Sequence, residues 1–225
     1  MGWDLGRDAA GRSVRSGGSG ICDADQRAGT HTGDVEPVRR IEVPEIVGAT
    51  VTLRRFALTD VDAVLDASTD PMIPLVTTVP AVADRALAAA FIARQHDRAA
   101  AGAGYSFAID AESGCVGQIG LWLRDIDRGR ATIGYWIRPG ARRRGYASAA
   151  LATLVDWAFT KQEIPRLQLY VEPNNVGSCR TAERAGFERE GLLRSWELVG
   201  EERRDMYSYG LTRARWSSAT RGPVS

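Results

Sequence analysis

Four arginines and two glycines crowd the segment Ile137-Arg-Pro-Gly-Ala-Arg-Arg-Arg-Gly-Tyr-Ala147. Arg138, Arg142, Arg143 and Arg144 repel one another unless counter-charge arrives, and a polyphosphate would supply it. Gly145 lets a ligand approach the backbone, because no Cβ stands in the way. A helical pattern follows, and a helix N-terminus offers unpaired N–H groups and the positive end of a dipole, both favourable to phosphate. Taken alone, RxxGxA is also the mark of a solvated Arg-rich turn. The strand-like Thr132-Ile-Gly-Tyr-Trp-Ile137 before it and the helix after it favour the phosphate reading. The Walker A lysine is missing and the pattern is not GxGxxG, so ATP and dinucleotides are poorly supported while another phosphorylated carrier is allowed.

Other chemistries find little footing. The only histidines, His31 and His96, fall in different kinds of segment and leave no HExxH and no His-based triad. Cys22, Cys115 and Cys179 are an odd, sparse set without CxxC spacing, so neither a disulfide framework nor a metal site is suggested and a reducing cytoplasm fits. The chain of 225 residues has 29 Lys plus Arg against 28 Asp plus Glu, a balance that argues against a surface built for nucleic acid or anionic membrane. No apolar run approaches the roughly 20 residues that span a bilayer, and no secretory leader is visible. A soluble, cytoplasmic protein is expected.

These residues need a scaffold. From Met1 to about Arg40 the residues are mostly Gly, Ser, Arg, Asp and Thr, and no period of two or of 3.6 survives two turns. Residues 1–44 are therefore expected to be a disordered tail, or else to lie ahead of the true start, for which Val35 or Val38 would serve. Residues 45–214 form one domain, and 215–225 a short C-terminal tail. Val51–Phe56 alternates as a strand, and Thr59 or Asp60 caps a short helix carrying Val61, Val64 and Leu65. Asp70-Pro71 and Pro74 break it into a loop, and Val82–Ala101 is a helix placing Leu87, Phe91 and Ile92 on one face. Tyr105–Ile109, Cys115–Leu123 and Ala131–Ile137 read as an antiparallel meander with turns at Glu112-Ser-Gly and Asp127-Arg-Gly. Ala147, Leu151, Leu154, Val155 and Ala158 mark an amphipathic helix. Leu167–Val171 is a strand, Asn175–Ala185 a helix, and Phe187–Leu198 with Arg203–Leu211 a closing hairpin. The order implies an α+β (mixed α/β) fold with at least one strand-helix-strand crossover.

On these motifs the chain closely resembles the GCN5-related N-acetyltransferases (GNAT), in the RimJ/RimL-like branch named for ribosomal-protein N-terminal acetylation. The resemblance covers about Ile46 to Arg213. Arg142-Arg143-Arg144-Gly145-Tyr146-Ala147 matches the [QR]xxGx[GA] acetyl-CoA loop, IGYWIRP matches the strand before it, and Asn175 to Phe187 matches NxxSxRxAExxGF, followed by Glu190-Gly-Leu-Leu-Arg194. The resemblance implies a mostly antiparallel sheet splayed between its fourth and fifth strands, Ala131–Ile137 and Leu167–Val171, with acetyl-CoA as co-substrate and no metal. A main-chain N–H at Trp136 or Ile137 would hold the thioester oxygen.

Acetyl transfer needs an uncharged amine and a proton for the departing thiolate. Ser178 matches the branch's proposed proton donor, and Glu197 is the nearest match to its proposed base; a helix-face hydroxyl and a solvated hairpin carboxylate are the plainer readings. Asn175 reads as an N-cap that also contacts the carrier. Thr132 stands where many relatives have a glutamate. Cys179 has no basic partner to activate it, and Tyr135, Trp122, Trp136 and Trp157 suit a core as well as an acceptor wall. The acceptor implied is a protein N-terminal α-amine. The alternatives are a small amine such as an antibiotic or polyamine, or a non-catalytic acyl-CoA-binding module. Nucleic acid and membrane are not expected as partners, and either a monomer or a homodimer is compatible.

Overall fold

The computed structural model describes residues 41–221. Most of the expected tail, with Cys22 and His31, lies outside the described residues. Among them no helix is long and apolar enough to cross a membrane.

Eight strands form one sheet: β1 (Ile46–Val47), β2 (Thr52–Arg54), β3 (Gly104–Ala111), β4 (Gly114–Trp122), β5 (Arg130–Ile137), β6 (Arg166–Val171), β7 (Glu188–Val199) and β8 (Glu202–Thr212). Their spatial order is β1-β2-β3-β4-β5-β6-β8-β7, and every neighbouring pair is antiparallel except β5 with β6. The parallel pair requires a crossover, supplied by α4 (Tyr146–Thr160). It is short. Only Arg130, Ala131 and Thr132 pair with β6, opposite Arg166, Leu167 and Gln168, although β5 continues to Ile137. The sheet is thus open between the two strands expected to part, which become the fifth and sixth because the two-residue β1 precedes them.

Apolar side chains cover both faces. On one, Leu151, Leu154, Val155 and Phe159 of α4 pack on Phe107, Ile119, Ile133, Leu167 and Tyr209 from the strands. On the other, Phe56 and residues of α1 (Val61–Ser68) and α3 (Arg85–Ala100) enclose Ala108, Cys115 and Trp136. The packed stripe of α3 is Ala88, Phe91, Ile92, Gln95 and Ala99, recurring at helical spacing. Leu87, expected on that face, is 46% exposed because it lies one position, about 100° of helix, away from Ala88. His96 faces the Phe56 carbonyl at 2.9 Å and so joins α3 to the segment ahead of α1.

Two elements differ from expectation. The segment after α1 is not wholly loop: Asp70 Oδ1 accepts the N–H groups of Met72 and Ile73, both at 2.9 Å, and starts the short helix α2 (Ile73–Val76). Pro74 sits in its first turn, where its missing N–H would be unpaired in any case. Beyond residue 214 the chain forms α6 (Arg213–Arg221) where a tail was expected. Trp216 packs on Phe159 with ring centroids 5.4 Å apart and donates from Nε1 to Asp156 Oδ1 at 2.9 Å.

A buried polar cluster ties α3 to three strands. Gln118 donates from Nε2 to Gln95 Oε1 (3.0 Å) and Ser106 Oγ (2.6 Å), while its Oε1 accepts from Trp136 Nε1 at 2.7 Å. Gln95 Nε2 in turn donates to the Phe91 carbonyl at 3.0 Å. Such a network stabilises only while every member is satisfied. Gln118→Leu strands the indole N–H of Trp136 in the core, and we expect a loss of about 1–3 kcal/mol in guanidinium unfolding. An unchanged midpoint would show that the cluster is not what anchors Trp136.

Candidate active site

The turn expected to bind an anion is built from strand end to helix start. After Ile137, a single 3-10 turn at Pro139–Ala141 redirects the chain, and Gly145 occupies the N-cap of α4 with φ of 82°. That left-handed backbone favours glycine. A Cβ at Gly145 would meet nothing within 4 Å, so the space above it is open. Glycine also has no side chain with which to cap the helix. The first N–H groups of α4, which lack intrahelical partners, therefore stay available to an outside acceptor. A diphosphate fits this cradle.

The turn opens into a cavity of about 780 Å³. Its walls come from the parted end of β5 (Tyr135, Trp136, Ile137), from Arg142 and Arg143, from the start of α4 (Tyr146, Ala147, Ser148), and from α5 (Val176–Arg184). The segment Asp70 to Ile73 with Val76 adds a further wall. Asn175 is the N-cap of α5, its Oδ1 accepting the Ser178 N–H at 3.1 Å. This bond positions the residue that carries the candidate hydroxyl. Tyr135, only 6% exposed, brings its hydroxyl beside those of Ser178 and Thr181 without settling into a hydrogen bond with either. Burial raises its pKa, so the phenol keeps its proton. A buried hydroxyl with no hydrogen-bond partner among the described residues, at a cavity wall, has hydrogen-bonding capacity to spare for a ligand or water.

Most of the expected carrier-binding residues come together here. Trp136, Ile137, Arg142, Arg143, Gly145, Tyr146, Ala147 and Asn175 line the cavity with Ser178, and Arg144 does not. The expected mutual repulsion of the arginines is corrected in part: Arg138 Nη1 pairs with Asp66 Oδ2 at 2.9 Å and Arg142 Nη2 with Asp70 Oδ2 at 2.7 Å, so two of the four guanidinium groups already have counter-charge. Glu197 is not brought to Ser178. It is buried on β7, opposite Arg204, and is not among the residues that line the cavity. Thr132, the last β5 residue paired with β6, also lies outside it.

The expected aromatic acceptor wall is reduced to Tyr135 and Trp136. Trp157 packs edge-on against Tyr105 at 4.8 Å, and Trp122 lies under the Arg98 guanidinium at 5.0 Å. Neither of the two described cysteines is poised for nucleophilic attack. Burial pushes the Cys115 thiol up to about 12, and Cys179 is absent from the cavity lining. Two carboxylates escaped the sequence reading: Asp70, which looks like a helix breaker before Pro71, and Glu172, at the end of β6. An Asp two residues ahead of the α2 N–H groups is a capping signal that the Pro obscured.

Known proteins agree with this architecture. Residues 50–188 match the acetyltransferase (GNAT) domain family. The uncharacterized N-acetyltransferase p20 of Bacillus licheniformis is 28% identical over 169 residues, 74% of this chain and 95% of that protein. Among solved structures, Mycobacterium smegmatis RimJ in complex with CoA-disulfide superposes with a TM-score of 0.62 at 25% identity, covering 79% of this chain and 93% of that one. RimL, the ribosomal L7/L12 α-N-protein acetyltransferase in complex with coenzyme A, gives 0.63 at 19% identity, covering 75% and 98%.

The cradle makes a direct prediction. Gly145→Trp both fills the open space and imposes a left-handed strain of about 1–2 kcal/mol. We expect coenzyme A binding to fall by at least about a hundredfold in calorimetry, nearly 3 kcal/mol, while the far-UV spectrum is unchanged. Retained affinity would place the diphosphate elsewhere.

Proposed function

Because the chain belongs to the GNAT family of acetyltransferases, we propose that it acetylates the α-amine of a protein N-terminus by direct attack in a ternary complex. Acetyl-CoA, the family's acetyl donor, supplies the acetyl group on its sulfur. The chain's own residues supply grip, aim and a proton. Amide groups at the start of α4, with Arg143 beside them, take the diphosphate. Beyond Thr132 no strand pairs with β5 on its β6 side. Between Ile133 and Ile137 the main-chain groups that face away from β4, apart from the Ile137 carbonyl that accepts from Arg142, can therefore bond an extended ligand, as an added strand would.

The observation that carries the acceptor class is the charge of the cavity. Its lining carboxylates are Asp70 and Glu172, its lining cations Arg142, Arg143 and Arg184. Asp70 is neutralised by Arg142, which leaves Glu172 as the cavity carboxylate with no ion pair among the described residues. One carboxylate among arginines is a poor host for a polycation. It suffices for an α-amine, whose pKa of roughly 8 leaves part of it neutral at pH 7, whereas a lysine amine near 10.4 is almost wholly charged. In this reading Glu172 receives the ammonium proton and Ser178 Oγ hands a proton to the departing thiolate, with the protonated Tyr135 hydroxyl beside it. RimL, one of the structures compared above, is an α-N-protein acetyltransferase, the acceptor class proposed here.

Two measurements test this. Release of free coenzyme A with a panel of N-terminal peptides, a polyamine and an aminoglycoside should give the highest kcat/KM with peptides; turnover of the small amines alone would overturn the acceptor assignment. In Ser178→Ala we expect kcat to fall by about a hundredfold while coenzyme A affinity moves by less than about threefold. Equal losses in both would make Ser178 a carrier contact.

A further inference from the structure

Two ion pairs cross from the β5–α4 turn to the segment containing α1 and α2. Arg138, donating from Nη1 to Asp66 and from Nε to the Cys115 carbonyl at 3.2 Å, braces the side of α1. The second pair reaches the cavity itself. Arg142 Nη2 lies 2.7 Å from Asp70 Oδ2, while its Nε donates to the Ile137 carbonyl at 3.2 Å. The Asp70 side chain is only 6% exposed, and its other oxygen accepts the N–H groups of Met72 and Ile73. One buried carboxylate thus holds the turn that grips the carrier and the start of α2, whose Ile73 and Val76 line the same cavity. If Arg142 turned away to a phosphate, this carboxylate would lose its counter-charge, a costly state for a buried anion. Arg143 makes no ion pair among the described residues and lines the cavity, so it can meet the phosphate without that loss.

We infer that Arg142 is a positioning residue for the α2 wall of the cavity and not a ligand of the carrier's diphosphate: through Asp70 it fixes α2 relative to the turn at Gly145. The inference rests on reading that turn as the carrier site. It separates two roles within one arginine run. Arg143 serves affinity for the carrier, and Arg142 sets the distance between the carrier turn and α2, whose Ile73 and Val76 line the space left for the amine. A change at Arg142 is therefore felt by the amine and not by the carrier, because a displaced α2 alters the geometry of approach while the amides of α4 stay in place.

The test compares Arg142→Gln, Asp70→Asn and Arg143→Gln in the full chain by hydrogen exchange, coenzyme A calorimetry and kinetics with the best amine of the panel above. For Arg142→Gln we expect the Met72 and Ile73 amides to exchange at least about tenfold faster. Its coenzyme A dissociation constant should move by less than about threefold, and its amine KM should rise about fivefold or more with a smaller change in kcat. Asp70→Asn keeps an oxygen for those amides and so preserves the fold; it should reproduce the KM shift with a smaller rise in exchange. Arg143→Gln should weaken coenzyme A and leave exchange at Met72 and Ile73 unaltered. Unchanged exchange in Arg142→Gln, or a loss of coenzyme A affinity matching that of Arg143→Gln, overturns the inference. Absence of coenzyme A binding by the parent protein would instead sink the carrier reading, and the exchange contrast would still decide whether Arg142 holds α2.

Discussion

The parallel ladder between β5 and β6 stops after three residue pairs, and the cavity exists because it stops. A strand that loses its neighbour in the middle of a sheet keeps buried N–H and C=O groups that require partners. Here β5 retains β4 on its other side from Thr132 to Ile137, so the strand stays paired along one edge while the other is open. Both the ligand-sized space and the backbone groups facing it follow from that single interruption. The turn at Gly145 lies just beyond the open edge. In the proposed reading, a ligand held there by its phosphates would lie with the rest of its length beside the open edge of β5.

An open edge is stable only if the strand that bears it is held from both faces. Consecutive residues Tyr135 and Trp136 point to opposite sides, as strand geometry requires. Trp136 is held on the α3 side by its bond to Gln118, while Tyr135 belongs to the core beneath α4 and α5. The rigidity comes from polar groups and packing far from any reacting atom. It makes the open edge a fixed template, and preorganisation of that kind is what lets main-chain dipoles contribute to catalysis.

Local signals were legible in the sequence and pairings across distance were not. The α4 periodicity, the Gly145 turn and the Asn175 cap each depend on residues within a few positions, and each stands where the pattern put it. The partners of Arg138 and Arg142 lie 72 residues earlier, in a segment that reads only as helix and breaker. Four neighbouring arginines looked like unbalanced charge because nothing local revealed Asp66 or Asp70. The placement of Glu197 outside the cavity lining was hidden for a different reason. The β7–β8 pairing shifts between Leu193 and Glu197, with Ser195 at φ of 47°, and an irregularity of this kind resets which side each following residue faces. Counting along the strand therefore could not say where its carboxylate points. The length of β6 was legible too, yet Glu172 one residue past its end became visible only once α5 was folded beside it.

The arginine run is held in part by its own carboxylate partners, with no anion needed to keep it together. Four bare guanidinium groups on one turn would push it open, so a turn relying on its ligand for counter-charge would bind slowly and pay in order. With Arg138 and Arg142 paired to carboxylates, the backbone of the turn is set in advance, and Arg143 and Arg144 keep their charge for long-range attraction. In the proposed reading the paired arginines set the shape of the turn, and those without an ion pair among the described residues draw the anion. Because both kinds lie within seven consecutive positions, Arg138 to Arg144, any change in the run should be judged by the carboxylate its guanidinium meets and not by net charge.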